Sequence, residues 1–169
     1  MPMPMLVELV NGWGTVPRAK AGARDRPSLA AFAERHGAAR ARFTDAALER
    51  VADRLYPVFA AGDAAERTRL VTDLLTSCSV QPALGVAGDR IRAAWLVPRA
   101  RDAILAAAAV ALHGQLIEHE PERLGTCASI SCGDAFADAS PGAHRRFCSV
   151  TCQNRERVAA FRRRQAGAA

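Results

Sequence analysis

Four cysteines lie within 26 residues near the C-terminus, grouped as two close pairs. Cys127 and Cys132 form the first pair, Cys148 and Cys152 form the second, and 15 residues separate the pairs. This spacing is typical of a structural zinc site, because each pair spans one edge of a tetrahedron and the intervening loop brings the pairs together. We therefore predict one Zn²⁺ ion held by four thiolates.

An iron–sulfur cluster and disulfides are the alternatives for these cysteines. The N-terminal stretch MPMPMLVELV lacks the basic start and long apolar run of a secretory signal, which predicts a cytoplasmic protein. In a reducing compartment, clustered cysteines favour metal over disulfides. Four thiolates leave no open position for water, so the zinc would be structural rather than catalytic. We expect His144 to be a loop residue rather than a substitute ligand, and Cys78 to be buried.

The positive charge of the chain is concentrated beside these cysteines. Residues 1–140 carry 16 basic and 16 acidic side chains, whereas residues 141–165 carry seven arginines and one acid, Glu156. The net charge of +6 therefore comes from this C-terminal segment. A localised basic segment indicates a polyanionic partner, and a solubilising tail is the alternative.

A helix is predicted directly after the second cysteine pair. At about 100° per residue, Val150, Val158 and Phe161 share one apolar stripe, and Asn154 lies on it. With so little apolar material, the module should depend on the metal for its stability. We expect the Asn154 amide to hydrogen-bond the knuckle backbone; the alternative is a hydrogen bond to an adenine edge.

Arginines flank this stripe on both sides. Arg155 and Arg162 share one flank, and Arg157 and Arg164 share the other. A rigid helix with two rows of arginines, held by metal at one end, suits phosphate contact and insertion into the major groove of duplex DNA. The predicted DNA-binding residues are Arg145, Arg146, Asn154, Arg155, Arg157, Arg162, Arg163 and Arg164.

The residues upstream predict a helical domain. Ser28 and Asp63 are predicted N-caps, and Gly88-Asp89 between short apolar runs predicts a β-hairpin within residues 79–98. The stretch LVELVNGWGTVPR fits either a helix or a strand. Helical periodicity predicts four helices, over residues 27–37, 44–62, 67–77 and 102–120.

These elements predict a mainly α protein in two parts. Residues 1–120 would form a helical domain with a small β-hairpin, and residues 121–126 a polar linker. Residues 127–169 would form a treble-clef-like zinc knuckle that ends in a helix. The most apolar stretch, residues 103–117, is alanine-dominated, short and interrupted by His113, so we expect no membrane span.

The C-terminal motif resembles a known family. The arrangement C-x4-C…F-x-D-x-S…R-R-F-C-S-x2-C-Q-N-R resembles the CGNR zinc finger, named for a Cys-Gly-Asn-Arg quartet at its last ligand. Here the quartet is Cys152-Gln153-Asn154-Arg155, with glutamine in place of glycine. The second cysteine pair is also separated by three residues, where four are expected in many members.

The N-terminal stretch carries a second resemblance. MLVELVN, from Met5 to Asn11, resembles the opening L-x-L-[DE]-x-V-N of the ABATE domain, which the family places before the finger. Glu8 and Asn11 stand in the matching positions. The combination implies a bacterial, cytoplasmic DNA-binding protein of a stress-induced transcription regulator family.

We therefore expect a zinc-dependent transcription regulator that binds double-stranded DNA. Its helical domain would bind a small-molecule effector in a pocket lined by Glu8, Asn11 and Trp13, or would join two copies in a homodimer. The alternative is a zinc-knuckle adaptor that binds protein or RNA. Because the zinc loop has few aromatic residues, single-stranded RNA is disfavoured. No spacing pairs a nucleophile with a base, so we expect no catalysis.

Overall fold

A computed structural model describes residues 1–20, 27–36 and 44–166. Within these ranges the chain forms seven α-helices and two separate antiparallel sheets of two strands each, which confirms the mainly α fold class. The elements are α1 Met3–Trp13, α2 Thr15–Lys20, α3 Leu29–Arg35, α4 Asp45–Ala60, α5 Ala64–Ser77, β1 Gln81–Ala87, β2 Arg90–Leu96, α6 Ala103–Glu118, β3 Leu124–Thr126, β4 Ala135–Ala137 and α7 Val150–Ala166. Gly37, the last residue of the helix predicted over residues 27–37, lies outside the described residues.

Side-chain caps fix the starts of the helices as the sequence predicts. Ser28 Oγ accepts a hydrogen bond from the Ala31 amide at 3.1 Å, and Asp63 accepts one from the Glu66 amide at 2.8 Å. Glu66 reaches back to the Gly62 amide at 3.0 Å, so the cap of α5 extends one residue further than an ordinary capping box.

The N-terminal stretch, for which helix and strand were both open, is a helix. The buried side chains of α1 are Leu6, Leu9, Val10 and Trp13, at the spacing of one helical face. The Trp13 indole lies in the core and donates a hydrogen bond to the Asp45 carboxylate at 2.7 Å. This face joins α1 to α4.

The predicted hairpin is present and projects from the helices. β1 and β2 pair antiparallel, and Gly88 takes φ +64° in the turn, a conformation that glycine adopts without strain. The hairpin contacts α6 through Trp95 of β2, whose ring lies edge-on to that of His113 with 5.7 Å between ring centroids.

The helical core continues into the zinc segment. Leu124 of β3 and Ala135 of β4 are buried in the same cluster as the core residues of α1, α4, α5 and α6. Residues 121–126, predicted as a linker, contain a short 3₁₀ turn and β3, which packs on α4. The second sheet is therefore part of the body that carries the metal site.

One stretch, Ala100–Glu118, is long and apolar enough to cross a membrane by length and composition. Core helices of soluble proteins pass the same test, so this is weak evidence for a membrane span. Five residues of α6 are buried in the core, namely Leu105, Ala106, Ala108, Ala109 and Leu112.

Candidate metal centre and its basic helix

The structure brings the four predicted ligands together. The sulfurs of Cys127, Cys132, Cys148 and Cys152 all lie within 4.8 Å of one another. Cys148 Sγ is 3.6 Å from the sulfurs of both Cys132 and Cys152. A tetrahedral centre with Zn–S bonds of about 2.3 Å places its sulfurs about 3.8 Å apart. The donor set fits zinc, and the four cysteines form a single structural zinc site.

Backbone hydrogen bonds shape the two halves of this site. The Cys132 amide donates to the Ser129 carbonyl at 2.9 Å, which closes the first knuckle. The Cys127 amide donates to the Asp134 carbonyl at 2.8 Å. Ser149 Oγ accepts from the Cys152 amide at 3.3 Å at the start of α7, so the fourth ligand lies in the first turn of that helix.

Two of the four thiols, those of Cys132 and Cys148, lie in surroundings that disfavour their ionisation unless a cation is bound. Burial raises the pKa of Cys132 to about 11, and burial together with the neighbouring thiols raises the pKa of Cys148. Asp134, itself buried, lies with a carboxylate oxygen 3.4 Å from Cys148 Sγ. A divalent cation bound by the sulfurs would stabilise their thiolate forms in this environment.

Asn11 ties the first helix to the zinc segment. Its amide nitrogen donates to the Ala135 carbonyl at 3.0 Å, and its amide oxygen accepts from the Ala135 amide at 2.7 Å. This pair of bonds satisfies the outer edge of β4 as a neighbouring strand would.

Arg67 of α5 is a second anchor, and the sequence analysis did not identify it. The side chain is 5% exposed and donates to four backbone carbonyls. These acceptors are Val58 at 2.9 Å, Pro121 at 2.7 Å, Ala61 at 2.8 Å and Leu124 at 3.2 Å. Burial lowers the pKa of its guanidinium. The end of α4 and the start of the zinc segment are therefore joined through one side chain.

The loop between the cysteine pairs is organised by Asp138. Its buried carboxylate accepts from the amides of Ser140 and Arg145, both at 2.9 Å. A hydrogen bond from the Ser140 side chain, together with these two amide bonds, lowers the pKa of Asp138 to about 2. Arg123 closes the other side by donating to the Ser140 carbonyl at 2.7 Å. The loop is thus held at both ends by side chains.

Phe136 is the main apolar side chain of this loop. It lies over Gly125, where an added Cβ would come within 2.8 Å of the ring, so only glycine fits beneath it. The Arg145 guanidinium lies over the Phe136 ring, 5.3 Å from the ring centroid. Arg145 also donates to the carbonyls of Phe147 and Cys148. The Arg145 guanidinium was predicted to contact DNA. In the structure it donates to backbone carbonyls beside the metal site instead.

The apolar stripe of α7 is exposed rather than packed. Val150, Val158 and Phe161 are all exposed, and Cys152 is the buried residue of this helix. Asn154 is also exposed, and its side chain makes no hydrogen bond to any part of the chain that the structure describes. The expected hydrogen bond from Asn154 to the knuckle is therefore wrong. The outer surface of α7, which we call the α7 ridge, consists of Val150, Asn154, Val158 and Phe161.

Most of the predicted arginines project freely from α7. Arg155 donates to Ser131 Oγ at 3.0 Å, which ties the first turns of the helix to the knuckle. Four further arginines of α7 and Arg146 of the preceding loop are exposed and form no ion pair with any described residue; the four are Arg157, Arg162, Arg163 and Arg164. Their charge is therefore available to a partner.

Glu156, the one acid in the basic segment, is turned inward. Its carboxylate accepts from Ser129 Oγ at 2.8 Å and from the Ile130 amide at 3.2 Å. It fixes the first knuckle against α7 and leaves the arginines without an acidic neighbour on their own helix.

A cleft of about 1020 Å³ lies between α1 and the metal site. Glu8 and Asn11 line it from the helical side, and Cys148 and Arg155 line it from the zinc side. Glu8 is paired with Arg35 and His36, both at 2.7 Å. Trp13, predicted to line the same pocket, is buried in the core and does not border the cleft. His144 is an exposed loop residue, and Cys78 is fully buried.

Fold and site together define a helical protein with a four-cysteine zinc module at its C-terminal end. That module is similar to a known family, since the family model described as the CGNR zinc finger matches residues 123–165. The match covers the second sheet, the four sulfurs and nearly all of α7, and confirms the resemblance for this segment. A comparison with curated proteins found no match to the chain.

Proposed function

We propose that this protein is a zinc-dependent transcription regulator that binds double-stranded DNA through α7. The observation that carries the proposal is the surface of this helix. Exposed arginines flank the ridge on both sides, and Glu156, the one acid of α7, is engaged with the knuckle. An electrostatic surface of this kind is the footprint of a phosphate backbone.

The dimensions of α7 suit the major groove. Its 17 residues span about 25 Å at a rise of 1.5 Å per residue. The groove is about 12 Å wide and admits one α-helix. With the ridge facing the bases, Arg157 and Arg164 reach the phosphates of one strand, and Arg162 reaches those of the other.

The ridge supplies chemistry for base contact. The Asn154 amide presents one donor group and one acceptor, which matches the N6 and N7 edge of adenine. Val158 and Phe161 lie on the same face and suit the methyl group of thymine. The arginines would therefore set affinity, and Asn154 would contribute to sequence preference.

Zinc enters this proposal as an orienting ion. When bound, it supplies a rigid link between the knuckle and the first turn of α7. The chain's own residues add the remaining restraints at the same place: Glu156 and Arg155 hold α7 to the knuckle. The proposal contains no catalytic step, and the reduced thiols that it requires fit a cytoplasmic location.

Duplex binding at several salt concentrations tests the proposal. Arg162→Ala should weaken binding several-fold and reduce the slope of log K against log salt by about one. Arg69→Ala removes one charge from α5, where Arg69 pairs with Asp73, and serves as the matched control with an unchanged slope. Binding that is independent of salt would overturn the proposal.

Selection from a random DNA pool tests the role of the ridge separately. The zinc-loaded protein should enrich a short motif that contains an adenine, and Asn154→Ala should lose the preference at that position with the salt slope unchanged. Recovery of unrelated sequences by the wild type would limit α7 to backbone contact.

An adaptor that binds protein or RNA is the second candidate, and the exposed α7 ridge is the observation that favours it. Val150, Val158 and Phe161 could fill a hydrophobic groove on a protein partner. Competition between duplex DNA and RNA of equal length in one assay separates the candidates. Displacement by RNA at lower concentration than by duplex DNA would favour the second.

For the N-terminal part we propose an ABATE-type domain that binds a small-molecule effector in the cleft beside the metal site. The support is the position of Glu8 and Asn11, which the resemblance singles out and which both line the cleft. Because Asn11 also holds Ala135, a bound molecule there would act directly on the zinc segment. A thermal-shift screen of metabolites should identify compounds whose effect Glu8→Gln reduces.

A further inference from the structure

The N-terminal end of α1 gives the cleft beside the metal site an apolar surface. Met3, Pro4 and Val7 all line the cleft, and their spacing along the chain places them on one helical face. None of these side chains carries a hydrogen-bonding group. Small-molecule sites are lined mostly by side chains of this kind, with a few polar groups that fix the orientation of the ligand. This end of α1 therefore offers a surface to the apolar body of a ligand.

The acidic residues that line the cleft are already engaged or buried. Glu8 is paired with Arg35 and His36, both at 2.7 Å. Asp134 and Asp138 are only 5% and 3% exposed. The Asp138 carboxylate also accepts hydrogen bonds from two backbone amides. A positively charged ligand would therefore find each of these lining carboxylates paired or buried.

The arginines of the opposite wall are more accessible. Arg145 and Arg155 both line the cleft and are exposed. Arg145 donates to the carbonyls of Phe147 and Cys148, whereas Arg155 donates through Nη1 alone, to Ser131 Oγ at 3.0 Å. The Nε and Nη2 groups of Arg155 have no partner in the part of the chain that the structure describes. These two groups form a fork that matches the two oxygens of a carboxylate.

We propose that the ligand of this cleft is a small organic carboxylate with an apolar body. The inference rests on the effector site proposed above and adds the chemical class of its ligand. The carboxylate would accept two parallel hydrogen bonds from Arg155, and the body would lie against Met3 and Val7. One available fork suits a planar monoanion better than a phosphate, which carries more charge and is tetrahedral.

The position of Arg155 gives such a ligand a regulatory effect. Arg155 belongs to α7 and is among the residues predicted to bind DNA. A carboxylate held by this guanidinium would compete with a DNA phosphate for the same donors. The ligand should therefore lower the affinity for duplex DNA several-fold, and DNA should lower the affinity for the ligand by the same factor.

Isothermal titration calorimetry of the zinc-loaded full chain, without DNA, tests the inference. The probe is naphthalene-2-carboxylate, and naphthalene-2-carboxamide is its uncharged counterpart of the same shape. The carboxylate should bind with a dissociation constant of about 1 mM or below. The amide should bind about tenfold more weakly or worse, because it cannot accept two charge-assisted hydrogen bonds from Arg155.

A pair of variants locates the site on α7. Arg155→Gln should weaken binding of the carboxylate about tenfold or more. Arg162→Gln is the matched control, because Arg162 lies on the same helix but does not border the cleft. It should leave the dissociation constant unchanged. Zinc content and circular dichroism of both variants check that the fold is retained, and the comparison of carboxylate with amide needs no variant at all.

Several results would overturn the inference. They are equal affinities for carboxylate and amide, equal weakening by the two substitutions, and no binding of the carboxylate up to about 10 mM. Tighter binding of 2-naphthyl phosphate than of the carboxylate would also overturn it. If only the amide binds and Glu8→Gln weakens it, the cleft remains an effector site and the assignment to carboxylates fails. A chain that binds the carboxylate through Arg155 but binds no duplex supports the inference and contradicts the proposed regulator.

Discussion

The two halves of the zinc segment are held in different ways. The first half, with β3, β4 and the loop that follows, is built into the helical body through Arg67 and Asn11. The second half, α7, leaves that body and is held at its N-terminal end by Cys152, Arg155 and Glu156. The zinc segment therefore has a fixed base, formed by β3, β4 and the loop that follows, and a projecting arm, formed by α7, with the four-cysteine site at the junction.

Arginine serves opposite purposes in the helical body and on α7. In the body, Arg67 directs its donors to four backbone carbonyls and is buried. On the arm, Arg162 and its neighbours direct theirs to solvent. An arginine side chain that is surrounded by backbone carbonyls connects parts of the fold. An arginine side chain that is exposed to solvent can bind an anion.

Removal of zinc should have the largest effect, because it should affect α7 and leave the helical body intact. Structural zinc contributes about 10 to 16 kcal/mol in isolated finger peptides, so chelation or Cys152→Ser should release α7. Hydrogen exchange should show unprotected amides in α7, while α4 and α5 keep their protection. Cys78→Ala, which alters a buried cysteine outside the site, should bind zinc normally. Protection of α7 in the absence of metal would contradict the arrangement.

Loss of the buried arginine should have the next largest effect. Arg67→Met keeps the apolar stem but removes all four hydrogen bonds, and the unpaired carbonyls should lower the free energy of unfolding by about 3 kcal/mol or more. Arg69→Met, two residues away and 62% exposed, should change it by less than about 1 kcal/mol. Denaturant titration with a tryptophan fluorescence signal measures both. Equal effects would contradict the special role of Arg67.

A pair of asparagines sharpens the contrast between base and arm. Asn11→Leu removes both hydrogen bonds to Ala135 and should cost about 2 kcal/mol of unfolding free energy. Asn154→Leu alters an exposed residue without partners and should change stability by less than about 0.5 kcal/mol. The same variant should nevertheless lose sequence preference in DNA selection. A larger loss of unfolding free energy in Asn154→Leu than in Asn11→Leu would contradict the contacts assigned to both residues.

The smallest expected effect concerns the joint between knuckle and arm. Glu156→Gln keeps the shape but weakens the bonds to Ser129 and Ile130 by about 1 kcal/mol, so the knuckle amides should exchange about five times faster. Glu118→Gln changes the same charge at an exposed position and should leave that exchange unaltered. Slower exchange in Glu156→Gln would contradict its role as a clamp.

The sequence predicts the local features of this molecule well. The helices follow from periodicity and caps, and the hairpin from Gly88 in its turn, because these signals lie within a few residues of the element. The N-terminal helix was ambiguous for a physical reason. Apolar residues at Met5, Val7 and Leu9 also alternate as in a strand, and packing on α4 decides between the two patterns.

Residues that act over long distances could not be predicted as readily. Asn11 and Glu156 bond to segments that are 124 and 26 or more residues away, and no local pattern encodes such partners. Arg67 carries one sign that the sequence offers: it shares a helical face with Leu70, Val71 and Leu74. A charged residue on an apolar face indicates a buried hydrogen-bonding role.

The hydrogen bonds between Asn11 and Ala135 impose an order on folding during synthesis of the chain. Ribosomes add about 5 to 20 residues each second, so the 124 residues that separate this pair take about 6 to 25 seconds to synthesise. During that interval α1 lacks its hydrogen-bonding partner, because β4 has not yet been synthesised. The first helix can therefore form its two hydrogen bonds to Ala135 only late in synthesis, after most of the helical body has been made.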